Sequence, residues 1–405
     1  MLLLAAVVVT FVAFPNVQDP PPRDLSKLLA EAPAMQRHRA VLAAPGAHRL
    51  QILVAEPVVR RNGRVELVRA HLGDPQQYFY PASSIKLAGA VAALLELNRH
   101  NAAQGTAHGL DSDWSIGTAF AGDRTIDRDE TNVDGGRMTL RHSLRRLLLV
   151  SDNAAYNHCL ELVGQDGVNA AMWAAGLPSA RLWHRLSEAR TADENARTRP
   201  VEVRSGDRRD VWPARAAAAE LRNDLWTDLE IGTGYLDGGK RIDQPMSFAT
   251  KNAIRLQDLQ DLLVMLVRPE IDLPGKAGLP GLTLPQRRFL VDTLGELPRE
   301  SANPRYDPST TPDHACKFVL QGARRVVPAE FLRVYDKIGR AYGFSVENAY
   351  LEDTRTGRGL FLAIVLYTNP DGILNDDRYA YEELAEPFLD DVAETIVRAV
   401  LTETR

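Results

Sequence analysis

Tyr80-Pro81-Ala82-Ser83-Ser84-Ile85-Lys86, running straight into Leu87-Ala88-Gly89-Ala90-Val91-Ala92-Ala93-Leu94-Leu95, is the stretch that decides the fold of this chain. From Ile85 onward the residues are apolar on nearly every side, and a helix with that pattern belongs in a core. Ser83 then stands at the mouth of a buried helix, where unpaired N–H groups and the helix dipole favour negative charge. Lys86 follows three residues later, so both side chains share one helix face. Burial penalises an ammonium ion, and a hydroxyl beside a neutralised amine is the arrangement that makes a serine nucleophilic. Alone, Ser-x-x-Lys is weak evidence, since an N-capping serine and a snorkelling lysine give the same spacing.

The bulk composition narrows the field. A chain of 405 residues can hold two or three average domains or one large two-lobed one. Its net charge of −5 supplies no general basic field, which argues against nucleic acid as a partner. Two cysteines, Cys159 and Cys316, cannot make a disulfide framework, and two separate buried thiols are expected. No His-Glu-x-x-His or clustered Cys/His spacing occurs, so neither a metal nor another cofactor is expected. Residues 1–20 open with a short apolar run, Met1 to Phe14, that Pro15 follows. It is too short for a confident membrane span and reads as a signal peptide or N-terminal anchor, placing the protein outside the cytoplasm, periplasmic or extracellular.

Residues 21–45 read as a proline-rich linker and a first helix. Arg49 to Ala55 and Arg64 to Ala70 alternate like strands around Asn62-Gly63, a hairpin signal. Thr139 to Val150 has one apolar face and stops at Ser151-Asp152-Asn153, after which a helix from Ala154 runs to Gly164. A cap needs only one of those three polar residues, and a hydroxyl, a carboxylate and an amide between apolar helices can serve a cleft. Gly232 to Lys240 is expected to be loop, Leu256 to Val267 helix, and 269–285 loop. Phe331–Gly339, Val346–Glu352 and Leu360–Tyr367 are strand-like, and Leu384, Phe388, Val392, Ile396 and Val400 mark a closing helix. Strands at both ends with helices between predict a mixed α/β (α+β), two-lobed fold: an antiparallel sheet flanked by helices and split by an inserted all-α lobe.

Ser83-Ser84-Ile85-Lys86, then Ser151-Asp152-Asn153, then Lys337-Ile338-Gly339 on a late strand resembles the class A β-lactamase and penicillin-binding-protein family of active-site serine hydrolases. The resemblance spans about residue 45 to the C-terminus, with long insertions between Glu188 and Lys337. It implies a catalytic domain over 46–405, with a sheet lobe of 46–79 and 330–405 and a helical lobe of 80–329. It also implies a small-molecule substrate, a β-lactam or peptidoglycan-like amide, and a monomer. By the same resemblance Ser83 is the nucleophile and Lys86 its proton acceptor or part of the relay. Ser151 relays the proton, and Asn153, Lys337, Gly339 and Arg340 bind substrate, with the backbone N–H groups of Ser83 and Arg340 as oxyanion hole. Two features depart from the family pattern. Ile338 replaces a hydroxyl residue that would anchor a substrate carboxylate, and no Glu-x-x-Leu-Asn segment follows Ser151. Glu188 is the candidate deacylating base and Glu194 its rival. A β-lactam hydrolase is the expectation; a D,D-peptidase or esterase on the same scaffold, or a non-catalytic penicillin-binding protein, is the alternative.

Overall fold

The computed structural model describes residues 22–402; the N-terminal apolar run lies outside the described residues. The two alternating segments near the start form β1 (Gln51–Val59) and β2 (Val65–Leu72), joined around Asn62-Gly63. The C-terminal part supplies β3 (Leu332–Asp336), β4 (Gly339–Ala341), β5 (Phe344–Asp353) and β6 (Arg358–Tyr367). All pairings are antiparallel in the order β3-β5-β6-β1-β2, with β4 continuing the β3 edge along β5. The closure is between the two ends of the chain: Val54 of β1 sits opposite Leu362 of β6 and Ala70 of β2.

Side chains on a strand alternate between faces, and here the alternation separates two cores. Leu53 and Ala55 join the core shared with the helical lobe, whereas Ile52 and Val54 join the core under the C-terminal helix. That helix, Glu386–Val397, lays Phe388, Leu389, Val392 and Ile396 against the sheet. Its Asp391 also receives Arg37, His38 and Arg325, which ties the N-terminal helical segment to the end of the chain.

Between the strands, α1 (Lys86–Gln104) is the buried helix expected from the sequence. α2 (Leu140–Leu149) and α3 (Asn153–Ala174) follow, and α4 (Leu256–Val267) packs against the sheet, where Asn348 Nδ2 donates to the Leu259 carbonyl. The helix that starts at Asn153 ends at Gly164, as its pattern predicts: the backbone there leaves helical geometry (φ 75°, ψ 164°), and a second helical stretch runs on from the kink to Ala174. One expectation needs correction: the insertion is not all-helical. Asp113–Ile116, Val201–Ser205 and Arg208–Trp212 form one small sheet, and the glycine-rich 232–240 stretch makes the hairpin Gly234–Asp237/Lys240–Ile242. Gly238 and Gly239, both at positive φ, form that hairpin's tip, so its glycines serve a tight turn.

The short helix Leu320–Arg324 meets the C-terminal helix backbone to backbone at Gly322, whose N–H donates to Asp390 Oδ1 at 2.9 Å. A Cβ there would lie 1.8 Å from the Asp390 carbonyl oxygen, and backbone cannot move aside as a flexible side chain can. Gly322→Ala is therefore expected to lower the unfolding free energy by about 1–3 kcal/mol, read as a drop in the urea midpoint. An unchanged midpoint would show that the contact relaxes freely.

Candidate active site

Ser83 lies in a single 3-10 turn, Ala82–Ile85, that feeds into α1. Ala82 before it has φ 48°, an unusual conformation for a residue with a Cβ. The two adjacent serines differ in what they can do. Ser84 is fully buried and its Oγ donates to the Pro81 carbonyl at 2.6 Å, so it fastens the turn. Ser83 is half-buried, and among the described residues no group holds its hydroxyl.

Lys86 is fully buried. Its Nζ reaches across to the loop between α2 and α3, bonding the Ser151 carbonyl, Ser151 Oγ at 3.2 Å and Asn153 Oδ1 at 2.6 Å. Burial, then the nearby Lys337 charge, lowers its pKa to about 6, with Asp152 opposing. At neutral pH the amine is mostly uncharged, which leaves two N–H donors and a lone pair. Its two hydrogens are shared among the Ser151 carbonyl, Asn153 Oδ1 and Ser151 Oγ, which leaves the lone pair to accept a proton. The loop itself is strained at Ser151 (φ 62°). Asp152 caps α3 by accepting from the Ala155 N–H at 2.8 Å and pairs with Arg146 at 2.5 Å, a structural role.

The other wall is the sheet edge. Lys337 sits in the break between β3 and β4, buried, its Nζ donating to the Ile338 carbonyl at 3.1 Å. Burial lowers its pKa to about 8, against the pull of Asp336. Gly339 explains how this edge comes so near Ser83. A Cβ on it would lie 2.4 Å from the Pro81 carbonyl oxygen and 3.0 Å from the Ser83 nitrogen, so only glycine fits. Ile338 faces the opposite way, into the apolar core under the C-terminal helix. The Arg340 side chain also turns aside: it pairs with Glu386 at 2.8 Å between the rings of Phe318 and Tyr381, leaving its backbone N–H as the group available to a substrate. Arg355 is paired with Asp353 at the β5–β6 turn.

The structure also brings in residues that the motifs do not name. Asn153 Nδ2 donates to Ser187 Oγ at 2.8 Å, linking the lysine's partner to the loop that carries Glu188. Asn157, one turn after Asn153, clasps Leu186 through both its carbonyl and its N–H. The four-residue spacing of the two asparagines was the available signal, since it places both amides on one face of α3. Glu188 is held on both oxygens, by Arg190 at 2.7 Å and Asn157 Nδ2 at 3.1 Å. Glu194 is in a capping box with Thr191 at the start of a short helix. Both cysteines are free; burial raises Cys159 to about 12.

Residues 69–228 match the family model described as the beta-lactamase enzyme family. That stretch holds Ser83, Lys86, Ser151, Asn153 and Glu188 and ends before Lys337. A beta lactamase from Xanthomonas campestris pv. campestris is similar in fold, with 16% identity and a TM-score of 0.50 over 91% of this chain and 97% of that one. A beta lactamase from Burkholderia vietnamiensis gives 13% identity and a TM-score of 0.50 over 94% and 98%. No curated protein matches. The family match covers this part of the chain, and the two solved structures are similar to the chain in fold.

Beneath Lys337 lies a buried charge cluster. Lys317 Nζ donates to Asp336 Oδ1 at 2.5 Å, while Asp336 Oδ2 accepts from no backbone or basic side-chain N–H among the described residues. Burial and the neighbouring Asp336 charge raise the Glu347 pKa well above its ordinary value. A proton kept on Glu347 gives Asp336 Oδ2 its missing bond. A raised folded-state pKa means that the folded protein keeps a proton which the unfolded chain releases above about pH 4.5, so this contribution to stability declines as pH rises from there. Glu347→Gln has no such proton to lose. The variant is expected to gain on the wild type between pH 5 and pH 8, by at most about 1.4 kcal/mol per pH unit, measured as paired urea midpoints. A constant difference across that range would sink the protonated-carboxyl assignment.

Proposed function

From the beta-lactamase family match over residues 69–228, we propose that this chain is an exported, monomeric active-site serine hydrolase of the class A type that opens a β-lactam or related amide. The observation that carries this is the buried Lys86 amine, which joins the Ser83 turn to Ser151 and Asn153. In this mechanism neutral Lys86 takes the Ser83 hydroxyl proton as Oγ attacks the amide carbonyl. The N–H groups of Ser83 and Arg340 hold the developing oxyanion. The proton passes from Lys86 through Ser151 to the leaving nitrogen, the C–N bond breaks, and an ester on Ser83 remains. Asn153 binds the substrate's side-chain amide, while Lys337 attracts anionic substrate and favours proton donation from Ser151. Water then releases the acid, with Glu188 as its base.

One observation favours a slower variant of the same chemistry. Each Glu188 oxygen already accepts one hydrogen bond, from Arg190 or Asn157, so a water has only the second acceptor position on either oxygen. Release of the acyl group is then the slow step, as in a penicillin-binding peptidase.

Intact-mass analysis after treatment with a penicillin is expected to show one adduct on the wild type that persists after the excess drug is removed. Ser83→Ala should show none. An adduct on that variant would place the nucleophile elsewhere.

The acylation rate should follow a bell in pH. Lys86 must be neutral, so the rate climbs through an apparent pKa near 6. Lys337 must be charged, so the rate falls through one near 8. Lys337→Arg keeps its charge at all these pH values and should remove the alkaline limb. A profile flat from about pH 5 to 9 would contradict both assignments.

A further inference from the structure

Beside the catalytic cluster opens a cleft of about 900 Å³, whose walls include Tyr80, His184, Ser187, Lys251 and Tyr342. Its position follows from its neighbours. Tyr80 lies three residues before Ser83, and Tyr342 two residues past Arg340, in the turn that follows β4. Ser187 accepts from Asn153, the residue proposed to bind the substrate's side-chain amide. On the mechanism above, the cleft therefore continues from the acyl side of the scissile bond, away from the leaving nitrogen.

The charges lining the cleft are mostly answered. Arg185 is bound on both arms by Glu161 at 2.9 and 3.0 Å, and Arg190 by Asp123 at 2.5 Å and Glu188 at 2.7 Å. Glu220 pairs with Arg222 at 3.0 Å. Lys251 differs from all of these. Among the described residues it has no ion pair and no side-chain hydrogen bond; its Nζ lies 5.8 Å from the centre of the Tyr342 ring. His184 adds no second charge, since burial brings its pKa to about 4.

The lysine is also held in place. Its backbone closes a turn onto the Phe248 carbonyl at 3.1 Å, and Asn223 Nδ2 donates to the carbonyls of both Phe248 and Lys251. Phe248 is fully buried and packs against Tyr78, Tyr80 and Tyr342. A half-buried ammonium on a fixed turn, over an aromatic face and without a counter-ion, is preorganised for an anion.

We propose that this cleft is the subsite for the acyl side chain of the substrate, and that Lys251 makes it selective for side chains that carry a carboxylate of their own. The inference rests on the serine-hydrolase reading for its orientation, so its test is one of binding without turnover. Benzylpenicillin and α-carboxybenzylpenicillin differ by one side-chain carboxylate, and calorimetry on Ser83→Ala measures both without acylation. The carboxylated compound is expected to bind about tenfold more tightly. In Ser83→Ala/Lys251→Gln the ratio should fall to about one, and in Ser83→Ala/Lys251→Arg most of it should return.

No preference in Ser83→Ala, or one that survives Lys251→Gln, would overturn the assignment. Loss of both ligands together in Lys251→Gln would also overturn it, by showing that the lysine only supports the fold. If the wild type forms no covalent adduct with either compound while the Lys251-dependent preference holds, the hydrolase reading fails and this subsite stands.

Discussion

The burial of Lys86 without a carboxylate partner is the constraint on which the site depends. An ammonium ion so placed is unfavourable, and a second cation at Lys337 makes it more so. A Glu or Asp in contact would relieve the cost and hold the proton in place. The structure instead surrounds the amine with a carbonyl, an amide oxygen and a hydroxyl. These three oxygens can accept from the amine in either state but bring no opposing charge, so burial and the Lys337 charge decide the shift. Lys337 is likewise buried, yet it stays nearer its ordinary value because Asp336 pulls against desolvation. Two lysines in one cleft therefore favour opposite protonation states near neutral pH, which is the condition for one to act as base and the other as a fixed charge.

The scaffold concentrates its backbone strain around these groups. Among the described residues, seven that are not glycine have positive φ; Ala82, Ser151, Ser187 and Tyr342 are four of them. Each belongs to a different wall of the site or its adjoining cleft. Such conformations cost on the order of 1–3 kcal/mol each and persist only where surrounding packing fixes them. That packing is visible: the Ser83 turn rests on Gly339, the Ser151 loop is fastened by Arg146 to Asp129 and Asp152, and Ser187 is held through Asn153. The sheet joins residues near both ends of the chain, so it gives these separate walls a common frame.

What was legible in the sequence follows from this division. The six-stranded sheet, the buried helix after Ser83 and the α2–α3 pair have strong local periodicity, and they fold as their patterns indicate. The short strands of the insertion carry too few alternating residues to be told from loop, and 232–240 shows mainly its turn glycines. Within the site, Lys86, Ser151 and Asn153 meet, one turn along from Ser83, because each lies at an element end that local pattern fixes. Ser187, Asn157 and Lys251 could not be read so directly. Their roles come from contacts between segments far apart in the chain, such as Asn157 with Leu186 and Asn223 with Lys251. Ile338 shows the same limit from the other side: its position beside Lys337 was legible, but its burial away from the cleft depends on the break between β3 and β4.

On the proposed mechanism, the departures from the family pattern fall on the steps after acylation and on substrate choice. The groups that form the acyl-enzyme are all present and are held by backbone geometry that tolerates little substitution. The carboxylate assigned to water activation is already engaged on both oxygens. The hydroxyl expected at position 338 is replaced by a core isoleucine, and the Arg340 guanidinium is occupied by Glu386 and two rings. None of the three weakens nucleophilic attack. The last two remove directional recognition near Lys337, and the cation at Lys251, with no ion pair among the described residues, stands on a turn supplied by the insertion. A constraint that fixes attack geometry while leaving the cleft walls to inserted segments lets substrate preference change without altering the lysine on which the nucleophile depends.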